Sequence, residues 1–447
     1  MTAIILSEEQ QHALEVIHNF IDGSEPCFTL KGFAGSGKTT LLKYLIGDLA
    51  AEGIPYCLCA PTHKAALVMQ RATKQKTQTL HSLLALSPNL DIFNLDLANL
   101  LFKVSEGKMS IPSKGVVIID ESSMITNDLF DLLLKKCSER ESKCLFIGDP
   151  AQLDPVKHKE TSKAMMSPNQ FTLTRIFRQD EDSGLLPVLG KLRESEMKSL
   201  PTIKTPKGQI LSTHDTAQFV YAAEKFYAKA MHNEDVLFTK ILAYTNARVN
   251  LYNEVIHQKI TREEYTEGEF ITAYENVNSQ SVSIFNSMDY IIRKVTPCDI
   301  DIPMFKSVFG YKLELLDSLT DEIEVVNVLS RTLPDELFTD LAESIEDVRQ
   351  KAIKANSNYR ASYWKNYYSM LDAFVTPKAL ILQDGRIARN KTLDYGYAIT
   401  VHKSQGSTYN SILIDWKNIN LCKEANIRRQ LEYVALSRTK TSAIILQ

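Results

Sequence analysis

A chain of 447 residues, 44% hydrophobic and 23% charged, is an ordinary globular composition too long for one core, so two to four domains are expected. Its 51 Lys and Arg against 54 Asp and Glu give a net charge of −3. That balance excludes a broadly basic nucleic-acid binder, and basic groups for such a partner would have to be gathered in a channel. The seven cysteines contain no C-x-x-C pair, which argues against a disulfide or zinc framework and for a reducing compartment. MTAIILSEEQQ has too short an apolar run and no basic leader for a signal peptide, and no stretch reaches membrane-helix length. A soluble, cytoplasmic protein without a membrane partner is the expectation.

In chain order, LSEEQQHAL opens an amphipathic helix on whose surface Gln10 would lie. CFTLKGFAGSGKTTLLKYLIGDLAAEG then reads as strand, glycine-rich turn and helix, and Gly32 to Thr39 fits G-x-x-x-x-G-K-S/T. Glycines let backbone N–H groups turn inward around phosphate oxygens, so Gly32, Ala34, Gly35, Ser36 and Gly37 form the cradle. Lys38 can reach the β- and γ-phosphates, and Thr39 can ligate magnesium, with Thr40 beside it. GVVIIDESSM is a buried-strand run ending in Asp120 and Glu121, where open α/β sheets bind ligands. Asp120 is read as the magnesium partner and Glu121 as the base that orients water. KCLFIGDPAQLDPV supplies another strand end and Gln152, a neutral amide suited to sensing the γ-phosphate. To this point several classes of nucleotide hydrolase fit equally well.

Further on, TKILAYT, DYGYAIT and SILIDW are strand-like and mostly separated by helical stretches. An α/β fold with two parallel sheets follows: one around Lys38, Asp120 and Gly148, another around Tyr244, Thr400 and Ile412. Between them, EFITAYENV, SVSIFNSMDYIIRKV, YKLELLD and EIEVVNVL repeat strand signals that suggest a small β-barrel. Residues 334–375 then read as helix, with Leu337, Leu341, Ile345 and Val348 at helical spacing, as are Tyr363, Tyr367 and Phe374. For the cluster Tyr359, Tyr363, Trp364, Tyr367 and Tyr368, core packing is expected over stacking on bases.

The order of the segments discriminates further. After the phosphate-binding loop come APTHKAA, TLHSLL, IIDESSM, GDPAQLDPV, LTRIFRQ, ILAYTNARVN, ITVHKSQGST and YVALSR. This succession resembles the superfamily 1B DNA helicases of the RecD/Dda group over nearly the whole chain. The resemblance implies two RecA-like motor domains, residues 1–84 with 113–175 and residues 176–260 with 394–447. It implies a small hairpin insertion at 85–112, and an SH3-like barrel with a helical extension at 261–393.

It also implies roles. Gln10 matches an adenine-reading glutamine, and Arg178 and Arg438 match two arginines that reach the γ-phosphate. Gln405 and Gly406 match the link between γ-phosphate and strand. Thr62, His63, Thr79, His81, Thr245, Asn246, Thr400, His402 and Lys403 are the implied strand contacts, short donors suited to phosphates without sequence readout. Thr62 and Asn246 also sit where helix N-caps belong. Phe102 is the candidate strand-separating wedge, with packing of the insertion onto its own domain as the other reading. The activity implied is ATP- and magnesium-dependent 5′-to-3′ movement on single-stranded DNA with unwinding of forked duplex. The implied state is a monomer, with a single-stranded-DNA-binding or replication protein as a further partner. Two alternatives are a translocase that displaces bound proteins without unwinding, and an ATPase subunit of a larger repair or replication complex.

Overall fold

The computed structural model describes residues 5–88, 102–104, 109–155, 161–177, 184–278 and 282–447. Arg178 lies outside the described residues, as does the side chain of Phe102.

Six parallel strands form the first sheet, in the spatial order Thr77–Thr79, Tyr56–Ala60, Val116–Ile119, Lys143–Gly148, Cys27–Gly32 and Gln170–Leu173. Parallel strands need crossover connections, and helices Lys38–Ala51, His63–Thr73 and Asn127–Ser138 supply them. The sheet is therefore covered on both faces, which explains why Val116–Ile119 is a continuous apolar run with every residue buried. All six strands end on the same edge, so Gly32, Ala60, Thr79, Ile119 and Gly148 hand their successors to one place.

The second sheet runs Ala398–Thr400, Thr239–Ala243, Tyr409–Asp415, Thr439–Leu446, Gly208–Thr213 and Ile203–Thr205. Its strands are parallel except for the antiparallel edge pair Gly208–Thr213 with Ile203–Thr205. The segments near Tyr244, Thr400 and Ile412 are thus immediate neighbours, as the sequence predicts.

A third, five-stranded antiparallel sheet orders Ile323–Leu329, Ser307–Asp317, Asp289–Asp301, Phe270–Ala273 and Leu393–Tyr395. One hydrophobic core joins it to the second sheet: Phe219, Tyr227, Ile241 and Leu413 pack in the same cluster as Tyr290, Ile291, Leu313 and Tyr395. At its far end Ile300, Ile302 and Val308 pack on Phe338, Leu341, Ile345 and Val348. The span expected as helix from 334 to 375 is two helices, Asp335–Lys354 and Ser357–Asp372. Ala355 and Asn356 are extended, with ψ of 144° and 165°, and Asn is a weak helix former that favours a new start.

The aromatic cluster corrects another expectation. Tyr359, Tyr363 and Tyr368 are 63%, 36% and 45% exposed, and only Tyr367 packs against the core. The second helix turns one narrow stripe inward, carrying Met370, while Trp364 and Tyr368 contact each other and Tyr367. In the first insertion, Leu86–Pro88 and Phe102–Val104 pair antiparallel. Among the described residues no helix is long and apolar enough to cross a membrane.

Candidate active site and adjoining channel

The phosphate-binding loop takes its shape from left-handed glycines. Gly35 and Gly37 have φ of 87° and 81°, and a Cβ at Gly37 would lie 2.3 Å from Gln10 Nε2. Gln10 is buried rather than on the surface. Its side-chain oxygen accepts the Ser7 N–H at 3.0 Å while Ser7 Oγ accepts the Gln10 N–H at 3.3 Å, a reciprocal cap on the helix Glu8–Asp22. Its Nε2 reaches the Gly37 carbonyl at 3.4 Å, so the capped helix also braces the loop. Lys38 Nζ donates to the carbonyls of Gly32 and Phe33 at 2.6 and 3.0 Å, lying inside the cradle where phosphate oxygens would sit.

Beyond the loop, a cleft of about 300 Å³ is lined by Ala34, Gly35, Gly37 to Thr40, Asp120, Glu121, Gln152, Phe177, Gly406, Thr408 and Arg438. Residues 34 and 438 thus meet in one site. Burial raises the pKa of both Asp120 and Glu121; mutual repulsion raises Glu121 further, and Arg438 and Lys38 oppose the rise. Glu121 has φ of 51°, a left-handed conformation uncommon outside glycine and asparagine, which turns its carboxylate out of the strand and into the cleft. Arg438, at the C-terminus of helix Ala425–Ser437, is buried with its guanidinium donating to the Val434 and Ser407 carbonyls at 3.2 and 3.3 Å.

The donor set fits a nucleotide with a divalent cation. Ser36 Oγ, Gln152 Oε1, Gln405 Nε2 and Ser407 Oγ are buried with no hydrogen-bond partner among the described residues. Buried polar groups without partners are costly, and a triphosphate with its metal and water would satisfy those near it. A cation between Thr39 and Asp120 would also relieve the crowding of the two carboxylates. Phe177, exposed at the cleft with its ring near Gly37, is the aromatic of FRQ itself; it escaped the sequence reading because only the arginine of that motif was given a role.

Behind the cleft lies a channel of about 540 Å³. It brings together Thr62, His63, Thr79, His81, His402, Lys403, Gln405 and Gly406, all expected from sequence. Thr62 and Thr79 each accept an N–H at the start of the helices His63–Thr73 and Leu80–Leu83. Thr245, not Asn246, caps Asn246–Ile260: its hydroxyl accepts the Arg248 N–H, and Asn246 is already helical. Neither Thr245 nor Thr400 lines the channel; Thr400 is buried and accepts the Lys403 N–H at 3.4 Å. Asn246 lines a neighbouring cavity that shares Lys403.

The connection between strands Phe270–Ala273 and Asp289–Asp301 of the third sheet roofs the channel with Asn276, Asn286 and Ser287, which sequence alone had not assigned. Phe285 stacks on His63 with centroids 4.3 Å apart, and Lys403 Nζ donates to Asn286 Oδ1 at 3.0 Å. One buried carboxylate fastens this roof: Asp289 accepts from Lys64 at 3.2 Å, Lys240 at 3.0 Å and Thr272 at 2.6 Å. Glu121 and Gly406 line both the cleft and the channel, so the two cavities share a wall.

Residues 5–215, which hold the phosphate loop, the acidic pair and Gln152, match the family model of an AAA domain. Residues 395–446, which hold Gly406 and Arg438, match the UvrD-like helicase C-terminal domain. The ATP-dependent DNA helicase dda of Enterobacteria phage T4 is 28% identical over 285 residues, covering 62% of each chain. The chain belongs to the Dda/RecD-like helicases of superfamily 1B. An uncharacterized protein of Acanthamoeba polyphaga mimivirus, R530, is 25% identical over 94% of the helicase and 95% of its own length. The Pif1 helicase from Candida albicans shares the fold, with a TM-score of 0.53 at 18% identity over 99% of this chain and 94% of that one.

Proposed function

We propose that the helicase hydrolyses ATP in the cleft and converts the resulting opening and closing into 5′-to-3′ movement along single-stranded DNA, unwinding the duplex ahead. The observation that carries this reading is the shared wall: Glu121 and Gly406 face the nucleotide cleft on one side and the channel on the other. A change at the γ-phosphate is therefore one residue away from the strand.

Each role follows from position. The amides of residues 34–37 and Lys38 hold the phosphates, with Thr39 and Asp120 as ligands for magnesium, which supplies charge neutralisation at the transferring group. Glu121, made more basic by burial and by Asp120, accepts a proton from the attacking water. Gln152 offers its free Oε1 to that water, and Gln10 meets the base. Arg438 exchanges its carbonyl partners for the charge developing on the phosphate, and Arg178, outside the described residues, is assigned the same task. Thr62, His63, Thr79, His81, His402 and Lys403 hold the strand, with Thr245, Asn246 and Thr400 supporting the second-sheet side of its path. The third sheet with its helices serves as the SH3-like barrel and extension, and the 85–112 hairpin with Phe102 as the wedge. The helicase acts as a monomer on single-stranded and forked DNA.

Partial duplexes with a 5′ or a 3′ single-stranded tail test activity, track and polarity together. Unwinding from the 5′ tail is expected. Activity only from a 3′ tail refutes the polarity, and ATP hydrolysis indifferent to single-stranded DNA refutes the motor.

A further inference from the structure

We infer that Tyr433 is a positioning residue for hydrolysis, its hydroxyl carrying movement of the second-sheet body to the phosphate-binding loop through Asp149. The inference rests on the motor reading above. Tyr433 lies five residues before Arg438 on the same helix and is buried. Its hydroxyl donates to Asp149 Oδ2 at 2.8 Å across 284 residues of sequence. The same oxygen accepts the Ala34 N–H of the phosphate loop at 2.9 Å, and that N–H also lies 3.3 Å from the Tyr433 oxygen. The other carboxylate oxygen accepts the Ala151 N–H at 3.0 Å, one residue before Gln152. A single buried carboxylate thus ties together the phosphate loop, the turn that presents Gln152, and the helix that presents Arg438.

Neighbouring contacts run the same way. Leu153 follows the first sheet in sequence, yet its side chain is buried in the core of the second-sheet body among Leu185, Trp416 and Leu436. Gln430 Nε2 donates to Asp154 Oδ2 at 2.8 Å. Arg193, from the helix Leu185–Glu194, lays its guanidinium 3.7 Å from the centre of the Phe33 ring in the phosphate loop. Residues 149–154 therefore start in one body and are gripped by the other. The helix cannot shift Arg438 toward the nucleotide without pulling on Ala34 and Gln152. A hydrogen bond to a carboxylate is short, directional and about twice as strong as a neutral one, which suits a tie that must transmit displacement.

The test uses the full chain with Tyr433→Phe, which keeps the ring and removes only the hydroxyl, alongside Asp149→Asn and the double variant. Steady-state ATP hydrolysis is measured with and without oligothymidine, together with the thermal midpoint. Tyr433→Phe is expected to lower the strand-stimulated kcat about tenfold or more while KM for ATP stays within about twofold, the size expected for losing a hydrogen bond to a charged group. The double variant is expected to be no worse than the weaker single one, because both cut the same tie. Full stimulated kcat in Tyr433→Phe, additive losses, or a fall in the thermal midpoint with kcat per folded molecule unchanged would each overturn the inference. Wild-type chain that oligothymidine does not stimulate removes the motor reading as well. A stimulated wild type with an equally stimulated Tyr433→Phe removes this inference alone.

Discussion

Raising the pH from 7 to 9 is expected to weaken single-strand binding about tenfold through one side chain, Lys403. Burial, with Lys391 and Lys64 nearby, lowers its pKa to about 8 against the opposing pull of Asp289 and Glu275. Its ammonium sits 4.0 Å from the centre of the Tyr274 ring and lines the channel where a phosphate would run. A phosphate restores the proton, so the strand binds the charged form. With a pKa near 8 the charged fraction is about 0.9 at pH 7 and about 0.1 at pH 9, a ratio near tenfold, or about 1.4 kcal/mol. Stability should move the other way. The folded pKa lies below the unfolded one, so the unfolded chain binds more protons between about pH 8 and about pH 10.4, and the strand-free fold gains stability as pH rises through that window. Fluorescence anisotropy of a labelled oligothymidine at constant ionic strength measures the first trend, and urea unfolding the second. Lys403→Met should flatten the affinity profile and reduce the salt slope by about 0.7. A wild-type profile flat between pH 7 and 9, or an equal slope in Lys403→Met, refutes the reasoning.

Glu121→Gln should still bind ATP and single strands while turnover falls by about 10² or more, as loss of a general base predicts; hydrolysis at the normal rate would remove it as the base. Asp289→Asn leaves Lys64 and Lys240 buried against a neutral amide and should cost about 3–5 kcal/mol in urea unfolding. Those lysines hold the Asp289 carboxyl far below the usual range, so its contribution is complete above about pH 4 and is lost as the pH falls from there. An unchanged midpoint for this variant would show that the network relaxes without it. Phe102→Ala should impair strand separation on forked DNA more than strand-stimulated ATP hydrolysis, and equal loss of both would mark Phe102 as a packing residue.

The candidate nucleotide site could be picked out because in a parallel sheet each functional turn directly follows its own strand. Lys38, Glu121 and Gln152 are announced by the apolar runs before them, and Arg438 by the segment order. What escaped depends on partners remote in sequence. Lys64 and Asp289 stand 225 residues apart, and nothing local to THKAA or NSMDY marks either as buried and charged. Gln10 is the opposite case. Ser7 and Gln10 have the spacing of a reciprocal cap, a signal present in the sequence that neither the surface reading nor the adenine-reading role implied by the resemblance took up. Thr245 and Asn246 both suit a cap, and only backbone geometry chose between them. The outward face of Ser357–Asp372 defeated the sequence for a different reason: an aromatic-rich helix satisfies core and surface patterns alike.

The shared core of the second and third sheets leaves the molecule with a long arm. Strand Asp289–Asp301 has 13 residues, roughly 40 Å at about 3.3 Å each, and it starts at the carboxylate that Lys64 grips. The two helices with exposed Tyr359, Tyr363 and Tyr368 sit at its other end. A rotation of about 5° at the cleft sweeps that tip by about 3–4 Å, comparable to the roughly 3.4 Å rise per base of a strand. For a given rotation at the cleft, shortening the strand pair Asp289–Asp301 and Ser307–Asp317 is expected to shorten the displacement at the helical tip in proportion.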